Sequence, residues 1–418
     1  MSQTDKPLRV ILLLKATTYR ARPFLEAAAR LGVEVVKGID MHPELAEYWR
    51  VPLGLQFDQP EQASQAIADF ARKNPVQAIL AVDDSATVIA AMASEGLGLA
   101  YNSSEAALAA RNKHRMRQLL TAAGVPSPKF TLYAMEDDPA RIAAEVEYPC
   151  VVKPLLLSGS RGVIRANNSA EFEAAFRRLG RMLAAFQRTP GSTQILVESF
   201  IPGFEVAVEG MLDQGELKVL ALFDKPDPLD GPFFEETIYV TPSRLPDAVQ
   251  AEIAACTAHA ATALGLRRGP IHAELRVNDE GPWIVEVAGR SIGGLCSQTL
   301  RFGPDISLEE LILRQAVGLE IGSLSSENQA RGVMMIPIPE AGLLKRVDGV
   351  EAAQRVPGIE SVKITASLNQ PLIPLPEGES YLGFIFAKRN RPEEVEAALR
   401  QAHQQLHFKV EPMLPLFV

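Results

Sequence analysis

Cysteine is nearly absent from this chain: three in 418 residues, Cys150, Cys256 and Cys296, far apart and odd in number. That pattern builds neither a disulfide framework nor a zinc site. Each thiol is expected as a small buried hydrophobe in a reducing, cytoplasmic setting. No apolar run reaches the length of a membrane span, and the N-terminal VILLL is too short and badly flanked for a signal peptide. Excess basic charge is missing too. With 42 basic against 51 acidic residues the formal charge is −9, which argues against a nucleic-acid partner. A local site for a small polyanion such as a nucleotide stays compatible with that balance. No G-x-G-x-x-G follows the first strand, so nothing supports dinucleotide binding there. Internal repeats, low-complexity segments and a convincing Ser-His-Asp or Cys-His set are likewise absent.

What is present reads as α/β. The length allows two or three domains, each with its own core; 47% apolar and 22% charged residues are ordinary for a globular protein. Leu8 to Leu14 is a continuous apolar run typical of a parallel strand buried on both faces. Arg22 to Leu31 has helical spacing and ends at Gly32, a C-cap, and Val33 to Val36 is the next strand. The rhythm continues through Ala66–Arg72 (helix), Ala78–Val82 (strand), Ala86–Ser94 (helix) and a short strand at Leu99–Ala100, giving a Rossmann-like open sheet. Asp83-Asp84 falls at the carboxyl end of a strand, where such sheets place ligands, and at least one of the pair is expected to cap the following helix.

A helix opened by Ser103 or Ser104 is expected to run through RNKHRMRQLL to Gly124, and the prolines of VPSPKF then force extended chain. YPCVVKP, LLLSGSRG and VIRA read strand, loop, strand. Amides freed by glycine in SGSRG can close around phosphate oxygens, though a simple turn is the commoner explanation of such a loop alone; it is not a Walker A loop. Residues 169–188 form an amphipathic helix with Phe172, Phe176 and Leu179 on one face. ILVESFIPGFEVAVEG, residues 195–210, is strand, Pro-Gly turn, strand, with Glu205, Ala207 and Glu209 on one face. Another strand covers 215–223. DKPDPLDGPFFEETIYVTPSRLP is a Pro-rich excursion long enough to be functional. Helices follow at Asp247–Leu264 and Ser307–Val317, IGSLSSENQAR reads as an interdomain linker, and the remainder reads strand, helix, strand, strand, helix.

The densest stretch is GPIHAELRVNDEGPWIVEVAGRSIGG, residues 269–294. HAELRV alternates polar and apolar residues, as a half-buried strand does, and Asp279-Glu280-Gly281 suits a three-residue hairpin loop. Pairing Asn278 with Pro282 would set Glu274 opposite Glu286 and His272 opposite Ala288. Facing like charges are destabilising. Either they bind a hard divalent cation or the hairpin edge is simply solvated; Arg290 and the bare backbone of Gly293-Gly294 favour the first. Along an extended strand Arg290 would stay on the carboxylate face, roughly 13 Å from Glu286.

Lys113 in RNKHRM, Lys153 in CVVKP, the SGSRG loop, ESFIPGFEVAVE, and the facing carboxylates with Arg290 follow one another in an order that resembles the ATP-grasp superfamily. Within it the chain is most similar to the carboxylate–amine ligases that join L-amino acids into dipeptides. The resemblance covers nearly the whole chain. It implies a Rossmann-like domain over 1–105, an ATP-grasp domain over 106–320 with a lid subdomain at about 125–197, and a C-terminal α/β capping domain over 321–418. It also implies ATP and Mg2+ (or Mn2+). Lys113 and Lys153 resemble the lysines that touch the nucleotide phosphates and the adenine N7 region. Ser158, Gly159, Ser160 and Gly162 resemble the lid loop over the β- and γ-phosphates. Glu198, Ser199, Phe200 and Ile201 resemble the hinge at the adenine edge, and Glu205 the carboxylate on the ribose hydroxyls. Glu274 and Glu286 match the magnesium ligands. Arg290 matches the arginine that stabilises the reacting phosphate and acyl group, with Gly293 and Gly294 beside the substrate. The excursion resembles a segment near substrate and nucleotide, with Lys225 toward ATP and Glu235 toward substrate.

One departure stands out. Many family members read Glu-x-Asn-x-Arg where this chain has Glu286-Val287-Ala288-Gly289-Arg290, and Ala288 cannot ligate a metal, so weaker metal affinity is expected. The implied reaction phosphorylates a carboxylate and lets an amine attack the acyl phosphate, which needs positioning and charge neutralisation and no protein nucleophile. His272 is a candidate to accept the amine proton, with a structural role as the alternative. Two other readings are a bicarbonate-phosphorylating carboxylase and an ATP-binding protein without ligase activity. The expected partners are a small-molecule carboxylate and amine; association into a homo-oligomer is left open.

Overall fold

The computed structural model describes residues 7–185, 191, 193–303, 306–322, 324 and 329–413. An N-terminal sheet of four parallel strands runs in the order Leu53–Leu55, Glu34–Asp40, Arg9–Lys15, Ala78–Ala81. Val10 to Leu14 are each at most 4% exposed. Alternate residues serve two cores: Ile11 and Leu13 pack with Ile67 and Ile89, whereas Val10, Leu12 and Leu14 pack with Phe223, Tyr239, Ile292 and Phe384. That second core binds the N-terminal sheet to the rest of the molecule. Leu99–Ala100 is not a strand, because Gly98 in left-handed conformation ends the preceding helix with a turn that continues into it. A helix at Pro43–Tyr48 and the Leu53–Leu55 strand were not expected; three residues are too few to carry a period.

The single helix expected over 103–124 is two, Ser104–Arg111 and Lys113–Ala122. Asn112 breaks it: its backbone is extended (φ −90°, ψ 108°), and its side chain accepts from the Arg115 amide as the N-cap of the second helix. The break sets Lys113 on a first helical turn. A lid sheet follows, antiparallel, in the order Phe130–Ala134, Gln194–Ser199, Cys150–Pro154, Ile164–Ala166. The helix Ser169–Ala184 covers it with Phe172, Phe176 and Leu179 fully buried, each contributing roughly 2 kcal/mol of burial. Its expected end at 188 lies outside the described residues.

The largest sheet has eight antiparallel strands: Gly281–Ala288, Gly269–Asn278, Phe204–Asp213, Glu216–Asp224, Ile238–Thr241, Ala330–Ile336, Gly383–Arg389 and Ile359–Ile364. Ile238–Thr241 lies inside the Pro-rich excursion, which is therefore not all loop. Through it, strands from beyond residue 320 continue the same sheet. The expected division near 320 separates stretches of chain and not separate sheets, and residues 323 and 325–328 of the linker lie outside the described set. The C-terminal part holds more strands than expected, with a further three-stranded sheet of Pro371–Leu372, Gly342–Asp348 and His407–Glu411.

Candidate active site

The hairpin reaches the expected facing pair by another route. Its loop is two residues, Asp279-Glu280, and Asn278 pairs with Gly281 instead of Pro282. Gly281 takes φ 104°, a conformation that costs glycine little. An irregularity at Val285 then shifts the register by one residue, so that Glu274 does face Glu286 and His272 faces Ala288. The polar side of the Gly269–Asn278 strand is not half-exposed as alternation suggested: His272 is 6% and Arg276 3% exposed. It faces a cavity of about 800 Å³ at the junction of the N-terminal sheet, the lid sheet and the large sheet, within the size range of small-ligand sites.

That cavity gathers most of the expected site residues. Lys113, Lys153, Ser158, Gly159, Ser160, Glu198 to Ile201, Glu205, His272, Glu274, Glu286, Arg290, Gly293 and Gly294 all line it, and so does Ala288. Gly162, Lys225 and Glu235 do not. Gly162 packs inward, where a Cβ would come within 2.9 Å of Leu179. The Glu235 carboxylate is held by the Ile338 backbone, and its neighbour Glu236 takes the place at the cavity wall.

Fixed charges dominate the walls. The Lys113 ammonium donates to the Leu157 carbonyl at 2.8 Å and meets Glu286 at 3.4 Å. The Lys153 ammonium lies 2.6 Å from Glu198, which also accepts from Arg117 at 2.8 and 3.3 Å. The Glu198 carboxylate is thus an internal clamp and not a group reaching for a base. Burial lowers the pKa of Lys153 to about 8, with Glu198 opposing. The amides of Ser199 and Phe200 are donated to the Lys129 and Pro149 carbonyls. Lys225, expected at the nucleotide, is held behind the cavity wall by carboxylates of that wall: its ammonium sits 2.9 Å from Glu205, 2.6 Å from Glu236 and 3.2 Å from Glu274. Burial alone would discharge it, but the three carboxylates prevail and hold its pKa well above the usual value. Glu205 also accepts from Arg276 at 3.0 Å.

His272 lies between two carboxylates. Its Nδ1 lies 3.1 Å from Glu209 and its Nε2 3.4 Å from Glu274. Burial opposes its charge, yet the two carboxylates raise its pKa to about 9. With a carboxylate beside each ring nitrogen, the geometry favours the structural alternative, in which His272 orients Glu274. Arg290 does not extend along the strand, which ends at Ala288. The chain bends, and the guanidinium donates to Asp84 through Nε and Nη2 at 2.9 and 2.6 Å. Asp83 turns to Arg20 at 3.3 Å and its side chain caps no helix; both acids of the pair serve ion pairs instead.

The loop Ser158–Gly162 has Gly159, Ser160 and Gly162 at φ 64°, 56° and 74°. It is braced from the C-terminal part: Gly162 donates to the Pro376 carbonyl at 2.8 Å and Arg161 to the Glu377 carbonyl at 2.8 Å. Arg117, Glu209 and Glu236 were not singled out from sequence as site residues, whereas Asp84 stood out with Asp83 as an acidic pair at a ligand-binding strand end. Arg117 could have been, since it falls four residues after Lys113 on one helical face, and Glu209 shares the strand face of Glu205.

Three family models fall along the chain in order: an ATP-grasp N-terminal domain at residues 25–100, an ATP-grasp domain at 146–299, and the L-amino acid ligase C-terminal domain 2 at 334–411. The chain belongs to the ATP-grasp superfamily of ligases. Within it the likeness runs to amino acid ligases. The structure of an L-amino acid ligase from Bacillus licheniformis superposes with a TM-score of 0.79 at 26% identity, over 97% of this chain and all of that one. Alanine–anticapsin ligase from Bacillus subtilis is 27% identical over 73% of this chain and 71% of its own length. N5-carboxyaminoimidazole ribonucleotide synthetase from Thermotoga maritima shares the fold, with a TM-score of 0.71 at 15% identity, 97% of this chain and all of that one.

Proposed function

We propose that this ATP-dependent ligase joins an amino acid carboxylate to the amine of a second small molecule, forming ADP and phosphate. The observation that carries the reading is the facing pair Glu274–Glu286 in one cavity with Lys113, Lys153 and Arg290. The substrate carboxylate takes the γ-phosphoryl group of ATP. The amine then attacks the acyl carbon, the phosphate leaves with one former carboxylate oxygen, and the amine's proton passes to the departing phosphate.

Lys113 and Lys153 carry positive charge to where the polyphosphate would lie, and the Ser158–Ser160 loop offers amides above it. Ser199, Phe200 and Ile201 line the part of the cavity assigned to the adenine, with Glu205 toward the ribose. The oxygens of Glu205, Glu236 and Glu274 that cluster within 4.8 Å of one another already surround the Lys225 ammonium; the facing carboxylates Glu274 and Glu286 supply the oxygen donors that suit a hard cation. Magnesium or manganese held there would neutralise the phosphates as charge moves. Ala288, at the cavity wall beside Glu286, supplies no ligand. Gly293 and Gly294 leave room for substrate next to Arg290.

We assign residues 1–105 to the N-terminal domain, 106–320 to the ATP-grasp domain with its lid at about 125–197, and 321–418 to the cap. No helix among the described residues is long and apolar enough to cross a membrane; the cytoplasm is the proposed compartment. The test is isotopic. Oxygen-18 in the substrate carboxylate should appear in the released phosphate, and hydroxylamine in place of the amine should give a hydroxamate. Amide formed with unlabelled phosphate would overturn the acyl-phosphate route, and ATP hydrolysis driven only by bicarbonate would favour a carboxylase.

A further inference from the structure

Two side chains of the N-terminal sheet act on a segment far along the chain. Asp84 accepts both Nε and Nη2 of Arg290 on its Oδ2. Arg20 follows the first strand and donates to the Ser291 hydroxyl at 2.9 Å and to the Ile292 carbonyl at 2.8 Å. It is anchored in turn by the Val82 carbonyl and Asp83. From the other side Glu209 accepts the Ile292 amide at 3.0 and 3.1 Å. Residues 290–292 are therefore gripped between two sheets, just before the Gly293-Gly294 backbone that lines the cavity.

The donor count gives this grip a direction. A guanidinium has five N–H donors in a fixed plane. Two go to Asp84 and one, on Nη1, to the Ser291 carbonyl at 2.9 Å. Among the described residues, one donor on Nη1 and one on Nη2 stay uncommitted, and these neighbouring nitrogens can hold two oxygens of one oxyanion together. Asp84 is only 19% exposed at its side chain and Arg290 12%, so the pair is shielded from water and orients firmly.

We infer that Asp84 is a positioning residue for Arg290, and that with Arg20 it makes the N-terminal sheet a working part of the ligase site. This inference rests on the ligase reading for the role of Arg290. Asp84 lines the same cavity as Arg290, but its Oδ2 is engaged by the guanidinium; it acts through Arg290, turning the Nη1/Nη2 edge toward the acyl and phosphoryl oxygens. The Asp84 backbone carbonyl separately accepts from Thr87 and Arg111, so a side-chain substitution leaves those contacts in place.

The test is a double-mutant cycle of Asp84→Ala and Arg290→Met under single turnover. Misplacing a transition-state group costs on the order of a hundredfold, so Asp84→Ala should lower the rate ten- to a hundredfold with the KM for ATP nearly unchanged. In the Arg290→Met background the same change should cost less than about threefold, the non-additivity expected of residues acting as one unit. Asp84→Glu, which keeps the charge, should recover part of the rate. Equal losses in both backgrounds, or a loss wholly in the KM for ATP, would overturn the inference. The grip is also read without turnover, from the 15N-resolved Arg290 Nε–H: slow exchange in the wild type, fast in Asp84→Ala. Equal exchange in the two refutes the clamp. Absence of amide synthesis by the wild type would instead refute the ligase reading, leaving the exchange measurement to decide the clamp.

Discussion

Glu198→Gln is the sharpest perturbation of the site, because it keeps shape and removes one charge. Arg117, Glu198 and Lys153 have side chains 0%, 3% and 6% exposed, and the single anion compensates two cations. Breaking a buried ion pair by removing one partner costs about 3–5 kcal/mol. Lys153 has an escape: burial already brings its pKa to about 8, and Glu198 is the group holding it up. Its folded value lies below the unfolded one, about 10.4, so the folded protein binds fewer protons between the two. The stability contribution of this group therefore rises with pH through that window. Without Glu198 the window opens at lower pH, and the deficit of the variant should shrink by more than about 1 kcal/mol, roughly one pKa unit, between pH 6 and pH 9. Urea denaturation followed by circular dichroism at both pH values measures it. A neutral Lys153 also attracts phosphate poorly, so the KM for ATP should rise in the variant at neutral pH. A variant within about 1 kcal/mol of wild type at pH 6, or a deficit independent of pH, would refute the reasoning.

Two further outcomes bear on the metal. Glu286→Gln should lower turnover by more than about a hundredfold with little loss of stability, since the Glu286 side chain is 29% exposed; near-wild-type activity at limiting magnesium would mean the pair binds no cation. Ala288→Asn should lower the magnesium concentration for half-maximal activity, because the side chain at 288 enters the cavity from the strand that carries Glu286; an unchanged or higher requirement would refute a ligand position there.

The sequence by itself determined the elements and their order. Continuous apolar runs announced the buried parallel strands, Gly32 ended its helix as a C-cap, and alternation placed Glu274 and Glu286 on strands that could face each other. These are local signals, set by side-chain period and backbone freedom within a few residues. Their limits are local too. Asn112 looked like one more helical residue until its side chain capped the helix behind it, and the bulge at Val285 replaced the expected loop length with a different route to the same register.

Only the tertiary structure decided which charges are spent and which are free. Lys225 is as basic in sequence as Lys113, yet three carboxylates enclose it and leave it off the cavity wall. His272 reads as a proton acceptor or a structural residue, and only the fold sets Glu209 and Glu274 beside its two ring nitrogens. Asp84 and Arg290 are 206 residues apart, and Arg117 and Glu198 are 81 apart. Nothing in the local pattern of either partner names the other. Pairing across such distances is chosen by where the sheets bring low-dielectric interior to ionised groups, because a buried charge must find a counter-charge there or lose its ionisation.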